Sequence, residues 1–320
     1  MNFACPVLSD SLKGKIDNHT RRRFGVIDRF LNEQFFEHWF QRPRLLPRDP
    51  CQIPRKDLWE FALQSNVLLR LFKAGRLDYR LPELTVDAFR FDENGRAICF
   101  LGASQPVSDD LATAWHPQFH GRSVFPSCCD SEEAWQLTRK ALGLLAPYTD
   151  FIELVLGECG AICFISADPP MEEGQCISLA SKMVPGLIYV SRAPTILLTE
   201  SLVHESAHLR FRALEEVIEL YSGGPDMRVK TPLREDPRPV SGFMHQLVVL
   251  RYLTALYENL RASEEPTVAR QRPQIEKRFQ VHLEDLDAGK RMAKDVASAL
   301  TSNGRRLLER LLEDSEPITL

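Results

Sequence analysis

The sequence predicts an α+β fold that is rich in helix and has a small central β-sheet. Long segments with helical spacing of apolar residues occur towards both ends of the chain, and short apolar runs bounded by turn residues lie between them. One well-formed helix directly follows the last of these runs. The chain has 320 residues, 44 % hydrophobic and 26 % charged, which is enough for a substantial core. We divide it into an N-terminal region, 1–150, and a C-terminal region, 151–320.

The N-terminal region is predicted to be mainly helical. Two amphipathic stretches are separated by a proline-rich segment, a β-hairpin turns at Asp92-Glu93-Asn94-Gly95, and an irregular loop follows the hairpin. In chain order these elements are helix 20–42, linker 43–54, helix 56–73, hairpin strands 86–91 and 97–101, and loop 103–129.

The rest of the chain is predicted to hold three further strands and the longest helices. Apolar runs beside turn residues or glycines indicate strands, whereas long amphipathic runs indicate helices. In chain order these elements are helix 131–145, strands 151–156, 161–166 and 186–190, helix 195–221, a polar break at 222–232, helix 241–261, and a helical tail from 274 that is interrupted at 302–304.

Charge and hydropathy exclude several classes of protein. The net charge of −4 gives no overall basic field that would attract nucleic acid or an anionic membrane. The first residues lack the pattern of a secretion signal, and Glu153 and Glu158 interrupt the longest apolar run before it could span a membrane. We therefore expect a cytoplasmic protein with reduced cysteines, in which Cys159 and Cys163 pack in the core.

The helix predicted at 195–221 contains the motif H-E-x-x-H, with its histidines at His204 and His208. Positions four apart lie on one helix face, so both imidazoles can bind one metal ion. Glu205 is placed where it can face a metal-bound water. A neighbouring apolar stripe turns the helix towards a core, and its members are Ile196, Val203, Ala207, Phe211, Leu214 and Ile218. The pattern predicts a partly buried metal site on a central helix.

A third protein ligand is needed to complete such a site. The three-histidine pattern of zinc peptidases fails, because its glycine and last histidine are replaced here by Phe211 and Leu214. Three glutamates follow on the same helix, but the middle one lies about 12 Å along the axis from His208, too far to bind the same ion. We expect all three to face solvent: Glu215, Glu216 and Glu219.

The remaining candidates lie beyond the polar break and are Glu235, Asp236 and His245. Asp236 begins the segment Asp-Pro-Arg-Pro, in which two prolines stiffen the backbone, and this suits a metal ligand or an anion clamp. Arg234 and Arg238 flank the acid and can bind a carboxylate through two parallel hydrogen bonds. A surface turn with a local Asp–Arg pair is the alternative. His245 can bind the metal, donate to a bound group, or pack in the core.

Three stretches together resemble one protein family. They are Ser181-Lys-Met-Val-Pro-Gly-Leu-Ile-Tyr-Val-Ser191, Glu200-Ser-Leu-Val-His-Glu-Ser-Ala-His208 and Asp236-Pro-Arg-Pro-Val-Ser-Gly-Phe-Met-His245. Their combination resembles the H-E-x-x-H-containing peptide-modification proteins, which are encoded with, or fused to, maturation enzymes for ribosomally made peptides. The resemblance covers about residues 184–257 and reaches the first half of the chain only loosely.

The resemblance implies a non-haem iron, 2-oxoglutarate-dependent dioxygenase that hydroxylates peptide β-carbons. It implies that His204, His208 and one carboxylate bind Fe(II) as a 2-His-1-carboxylate triad, and Asp236 is the favoured carboxylate. 2-Oxoglutarate would occupy open positions on the metal, and its far carboxylate would pair with Arg238 or Arg234.

Two further residues would act beside the metal. Glu205 would hold a hydrogen bond near the ligands and would not be a general base. In the family the position of His245 can hold Gln or His, which counts against it as an obligatory ligand, so His245 is only the alternative to Asp236 as the third ligand. The expected substrate is a precursor peptide, with its leader where one is present, and co-encoded maturation enzymes are expected partners. The N-terminal region is expected to recognise the peptide.

Two other classes of protein remain open. A zinc peptidase would bind Zn²⁺ through the two helix histidines and either Asp236 or His245, and Glu205 would activate water. It would leave Arg238 without a role. A non-catalytic scaffold would bind a leader peptide or a partner protein and keep only a vestigial site. Zinc-dependent cleavage of a peptide would distinguish the first class from a hydroxylase.

Overall fold

A computed structural model of the protein describes residues 86–91, 97–101, 122–127, 131–159, 161–168, 170, 172, 174–181, 187–222, 227–231 and 234–313. The helices and linker predicted within 20–73 lie outside these residues, as does most of the loop predicted at 103–129. The described chain is rich in helix and contains a small mixed β-sheet, as predicted for an α+β fold.

The described helices and strands alternate irregularly along the chain. The strands are β1 (Val86–Phe91), β2 (Ala97–Leu101), β3 (Ser123–Pro126), β4 (Ala161–Asp168), β5 (Ser178–Ala180), β6 (Leu187–Ser191), β7 (Arg228–Thr231) and β8 (Arg234–Pro239). The helices are α1 (Ser131–Leu145), α2 (Thr149–Glu158), α3 (Thr195–Val217), α4 (Val240–Ala262), α5 (Pro266–Ala269), α6 (Arg272–Val296) and α7 (Ser302–Leu312), with a 3₁₀ turn at Ala297–Ala299. None of the described helices is both long and apolar enough to cross a membrane.

The main sheet has six strands in the order β1-β2-β4-β6-β5, and β3 pairs with the end of β4. The hairpin predicted from its turn is confirmed, because β1 and β2 pair antiparallel. Strand β4 runs parallel to β2 and β6, and β5 pairs antiparallel with β6 at the edge. All five residues of β6 are buried, as expected for an apolar strand with neighbours on both sides.

The strand predicted at 151–156 is wrong, because this run belongs to helix α2. Phe151, Leu154 and Val155 are buried, and their spacing of three and four residues places them on one helix face. A short apolar run fits either period, so its pattern alone did not separate a strand from a buried helix.

Four short strands were not predicted. Strand β3 lies within the predicted loop 103–129, and β5 lies between the predicted strands at 161–166 and 186–190. Strand β7 lies within the predicted polar break at 222–232 and pairs antiparallel with β8, which follows the break and contains the Asp-Pro-Arg-Pro segment. None of the four has the alternation of apolar residues by which strands are recognised, because they are short, polar or end at proline.

The chain divides into two compact units. One holds the described residues up to Gly143 together with Val155–Ser206, and therefore the six-stranded sheet. The other holds Leu144–Leu154 and the residues from Ala207 onward, and therefore β7, β8 and helices α4 to α7. The division falls within α3, which is one continuous helix.

Helix α4 is a core helix of the second unit. Every residue from 247 to 257 is buried, and the helix packs against α6. Near its end, Arg261 pairs with Glu276, with Nε 2.7 Å from Oε2, and its guanidinium lies 4.2 Å from the centre of the Phe279 ring. A helix that is buried on all sides, as α4 is over residues 247–257, must be enclosed by neighbouring elements. The enclosure also fixes the start of α4, where His245 lies.

The chain that leaves α3 is held by the turn before α7. The Ser222 N–H donates to the Ala299 carbonyl at 2.9 Å, and the Thr301 N–H donates to the Leu220 carbonyl at 3.0 Å. The Thr301 hydroxyl donates to the Glu219 carbonyl at 2.7 Å. These bonds restrain the backbone on both sides of residue 221.

The interruption predicted at 302–304 lies instead at residues 297–301, and 302–304 form the first turn of α7. Thr301 is the N-cap, since its hydroxyl accepts from the Gly304 N–H at 3.1 Å. A Cβ at Gly304 would lie 2.1 Å from the Leu220 carbonyl oxygen. Glycine is therefore required here for a close backbone approach.

Gly304→Ala is expected to lower the free energy of unfolding by about 3 kcal/mol, because the methyl group would displace the backbone at Leu220. Gly143→Ala in α1 is the matched control. No atom lies within 4 Å of a Cβ there, so this change should be neutral or raise stability by about 0.5–1 kcal/mol. Urea unfolding of both variants tests the pair. Equal effects would show that the close approach is unimportant.

Cys159, Cys163 and Cys176 are free thiols. Cys159 and Cys163 are buried, as predicted for core packing. Cys176 is partly buried, with Sγ 3.2 Å from the Ser201 hydroxyl and 3.5 Å from that of Ser191. Burial raises the pKa of the Cys176 thiol, so this group stays protonated near neutral pH.

Candidate metal centre

The H-E-x-x-H motif lies in helix α3, as predicted. The apolar stripe is buried at Ile196, Val203, Ala207, Phe211 and Leu214, whereas Ile218 follows the end of the helix. The Thr199 hydroxyl lies 3.2 Å from the Ala141 carbonyl of α1 and 2.8 Å from the Thr195 carbonyl. Packing and these polar contacts therefore fix the direction in which the first half of the helix faces.

Three side chains of α3 come together at the motif. His204, Glu205 and His208 each offer one ligand atom, and these atoms lie within 4.8 Å of one another. Both histidines are half-buried, and Glu205 is only 4 % exposed. The His204 Nε2 atom lies 3.8 Å from Glu205 Oε1. Nitrogen ligands bind Zn²⁺ at about 2.0–2.1 Å, so groups this close can surround a single ion after small side-chain adjustments.

Glu205 is held by the edge strand β5. The Ser178 hydroxyl donates to Oε1 at 2.7 Å, and the Ala180 N–H donates to Oε2 at 2.6 Å. The N–H groups of an edge strand point alternately inward and outward, and the next one, on Ser181, donates inward to the Leu187 carbonyl of β6. Glu205 thus satisfies a buried outward-pointing donor that the sheet itself leaves unpaired.

This environment constrains what the Glu205 carboxylate can do. Both of its oxygens already accept short hydrogen bonds, and almost none of the side chain is exposed. A general base must turn an oxygen towards the water that it deprotonates. Glu205 instead joins α3 to the sheet and thereby orients the turn that carries the two histidines.

His245 lies beside His208 in the second unit. The Nδ1 atoms of the two rings are 3.1 Å apart, and the ring centres are 5.2 Å apart. The edge of the Phe211 ring packs against His245, with centres 4.6 Å apart. On its other side, His245 Nε2 lies 2.9 Å from Glu215 Oε2. The structure therefore places His245 next to His208, and both nitrogens of the His245 ring have a partner.

Glu215 does not face solvent, and the prediction for it is wrong. One of its oxygens lies against His245, and the other accepts a short hydrogen bond from the Tyr221 hydroxyl. Burial raises the pKa of Tyr221, and the charge of Glu215 adds to the effect, so the phenol keeps its proton and donates. Glu219 is exposed, as predicted.

The sequence contains a signal for Glu215 that the distance argument missed. It lies seven residues after His208, which is about two helical turns, so the two side chains lie on the same face. That distance excludes direct binding of one ion by both residues. The distance does not exclude an indirect contact through a third residue. His245 is that residue, because it contacts both His208 and Glu215.

The other predicted site residues lie on β8. Arg234 and Asp236 lie in this strand, with side chains outside the described part of the chain. Arg238 pairs with Val229 of β7 and is partly buried, and its Cβ is 3.6 Å from where a Cβ on Gly242 would lie. Strand β8 leads directly into α4, so Asp236 and Arg238 precede His245 on one short stretch of chain.

The donor atoms suit a first-row transition metal. Imidazole binds Fe, Zn, Cu and Ni well, and carboxylate completes the usual sets for non-haem Fe(II) and for Zn²⁺. His204 and His208 supply the imidazoles, and His208 has the supporting neighbour that metal-binding histidines generally have. The residues therefore fit a metal ion.

Comparison with known proteins gives no further assignment. No protein-family model matches the sequence, and no curated protein matches it.

Proposed function

We propose that this protein is a non-haem Fe(II)- and 2-oxoglutarate-dependent dioxygenase that hydroxylates a β-carbon of a ribosomally synthesised precursor peptide. The proposal rests on the geometry of the H-E-x-x-H motif. Its two histidines lie within reach of one ion, while its glutamate is buried and bonded through both oxygens to β5. This arrangement supports a metal site in which Glu205 is a positioning group. The resemblance of the sequence to peptide-modifying hydroxylases supports the reaction.

His204, His208 and Asp236 would hold the iron in this proposal. Bound Fe(II) with 2-oxoglutarate would supply the chemistry that uses dioxygen as oxidant: one oxygen atom goes into succinate as the oxoacid loses CO₂, and the other converts a substrate C–H group to C–OH. The protein's own residues would bind the metal and the oxoacid and orient them. Glu205 fixes the turn of α3, and the Arg238 guanidinium is assigned to the far carboxylate of the oxoacid, with Arg234 as the alternative.

We further propose that the protein acts in the cytoplasm on a precursor peptide, together with co-encoded maturation enzymes, and that residues 1–150 recognise the peptide. The net charge of −4 provides no overall basic field that would favour a nucleic acid as the partner.

A zinc peptidase is the second candidate, favoured by one observation. The Glu205 carboxylate lies within 4.8 Å of both histidine ligand atoms, the neighbourhood in which a peptidase keeps its base. A carboxylate has about four lone-pair positions, and β5 occupies two of them, so two acceptor positions remain for a bond to water. The low exposure and the two short bonds weigh against this role.

The proposal is tested by oxygen-dependent turnover. Protein purified without air and loaded with Fe(II) is expected to convert 2-oxoglutarate to succinate, faster with a precursor peptide from a neighbouring gene, which should gain one oxygen atom. Mass spectrometry of the peptide and quantification of succinate measure both products. Peptide cleavage by the zinc-loaded protein, without succinate from the iron-loaded protein, would contradict the proposal in favour of the peptidase.

Arg238→Ala is expected to raise the half-saturating concentration of 2-oxoglutarate about tenfold or more, because a charge-assisted pair is lost. The iron content should not change. Lys230→Ala removes an exposed cation from the neighbouring strand β7 and is the matched control. An unchanged requirement in Arg238→Ala would remove this residue from the clamp, and Arg234→Ala would then be the next variant to measure.

A further inference from the structure

We propose that Glu215 and Tyr221 are positioning residues of the metal centre, which act through His245 to fix the tautomer and the ring orientation of His208. This inference rests on the proposed metal site, but it concerns residues outside the motif. It follows from one continuous chain of hydrogen-bonding groups, Tyr221–Glu215–His245–His208, all in the second unit.

The direction of the chain follows from what each group can donate. A carboxylate only accepts, so Glu215 takes one proton from the Tyr221 hydroxyl and the other from His245 Nε2. A neutral imidazole has one N–H, so His245 then presents an unprotonated Nδ1. That atom lies 3.1 Å from His208 Nδ1, which is an ordinary hydrogen-bond distance if His208 donates.

This assignment leaves Nε2 as the nitrogen of His208 that can bind a metal. It reproduces the general arrangement in which a metal-binding histidine donates its other N–H to a neighbour, which fixes the ring and strengthens the ligand. Here the neighbour is an imidazole backed by a carboxylate. The assignment also makes His245 a support for His208 instead of the third ligand, in agreement with the choice of Asp236.

Neighbouring groups hold this hydrogen-bond chain in place. The Phe211 ring packs edge-on against His245, with centres 4.6 Å apart. The backbone on both sides of Tyr221 is hydrogen-bonded to residues 299–301. The side chains of His245 and Glu215 are only 16 % and 19 % exposed, so little water competes for their bond. Packing therefore restrains His245, and backbone hydrogen bonds restrain the segment that carries Tyr221.

A competing arrangement gives the same short distance. Two nitrogens bound to one ion at about 2.0–2.1 Å lie roughly 3.0–3.4 Å apart, so His208 and His245 could both bind a metal through Nδ1. The two arrangements differ in the protonation of His208 Nδ1. In the hydrogen-bonded arrangement, glutamine can replace His245, because its terminal amide can both accept and donate. In the arrangement where His245 binds the metal, glutamine cannot replace it.

The first test reads the tautomers directly. Long-range ¹H–¹⁵N NMR of histidine-labelled protein, metal-free and with Zn²⁺ alone, is expected to show His208 protonated at Nδ1 and His245 protonated at Nε2. Glu215→Leu and Tyr221→Phe should broaden or shift the His208 signals in both samples. Metal-bound Nδ1 on either ring, or His245 protonated at Nδ1, would overturn the proposal. The metal-free spectrum gives this result even if the protein binds no metal.

The second test measures Fe(II) affinity by chelator competition without air. Glu215→Leu and His245→Leu, which remove every hydrogen-bonding atom from the side chain, are expected to weaken binding about 10- to 100-fold, the range for partners of metal ligands. Tyr221→Phe should have a smaller effect. His245→Gln should stay within about threefold of wild type, because the amide keeps one acceptor and one donor. The matched control is Glu219→Leu, at an exposed glutamate just after α3, which should leave affinity unchanged.

The outcomes separate this inference from the proposed function. If wild type binds no Fe(II), the metal site and the proposed function fail. The tautomers of His208 and His245 still show whether the hydrogen-bond chain from Tyr221 to His208 exists. If wild type binds iron and Glu215→Leu binds equally well, the positioning role is wrong and the hydroxylase proposal stands. Loss of iron in His245→Gln to the same extent as in His245→Leu would make His245 a ligand.

Discussion

Substituting alanine for either His204 or His208 is expected to weaken Fe(II) binding more than 100-fold, with loss of all 2-oxoglutarate turnover. Each residue supplies one of the two imidazoles that the motif in α3 offers to the metal. Removal of a residue that only contacts a ligand already costs about 10- to 100-fold. Both rings are half-buried at the surface of α3, so the fold should survive either change. Iron content after anaerobic loading measures the effect, and circular dichroism checks the fold.

Arg212→Ala is the matched control on the same helix, since it shortens a partly buried side chain beyond the motif. It should bind iron as wild type does. Retention of stoichiometric iron by His204→Ala would show that the motif histidines do not form the site. It would also remove the basis for both proposed enzyme classes.

The second large effect is expected at Glu205, on stability. Glu205→Leu should lower the free energy of unfolding by about 3 kcal/mol, because the buried Ala180 N–H and the Ser178 hydroxyl lose their acceptor. Glu205→Gln should cost only about 1 kcal/mol. Its amide oxygen can accept from Ala180 N–H, and its NH₂ can donate to the serine hydroxyl, which reverses its own role.

Urea unfolding separates these two variants, and Ser178→Ala, which removes a single donor, should fall near Glu205→Gln. Equal destabilisation by leucine and glutamine would show that the bonds to β5 are unimportant. Glu205→Gln also separates the two enzymes. A hydroxylase should keep most of its succinate formation, whereas a zinc peptidase would lose its base and nearly all cleavage while retaining zinc.

The elements with a strong period were predictable from the sequence. Helices α1, α3 and α4 lie where apolar residues repeat at helical spacing, and the β1–β2 hairpin follows from its turn. Helix α2 was mistaken for a strand because its apolar run is too short to show a period. The strand β5 has three residues and no apolar alternation, so only its pairing with β6 identifies it.

The candidate site was predictable only within one helix. The spacing of His204 and His208 follows from helical geometry, and so does the common face of His208 and Glu215. The contact of His245 with Glu215 joins residues thirty positions apart, and that of Glu205 with Ser178 joins residues twenty-seven apart. Such contacts depend on how α4 and β5 pack, which local patterns do not specify.

The most direct test of the central claim is an absorption spectrum recorded without oxygen. Wild-type protein with one equivalent of Fe(II) is expected to develop a weak visible charge-transfer band when 2-oxoglutarate is added, and the band should be absent in His204→Ala. No band from wild-type protein that has bound iron, together with tight zinc binding and peptide cleavage, would contradict the hydroxylase account.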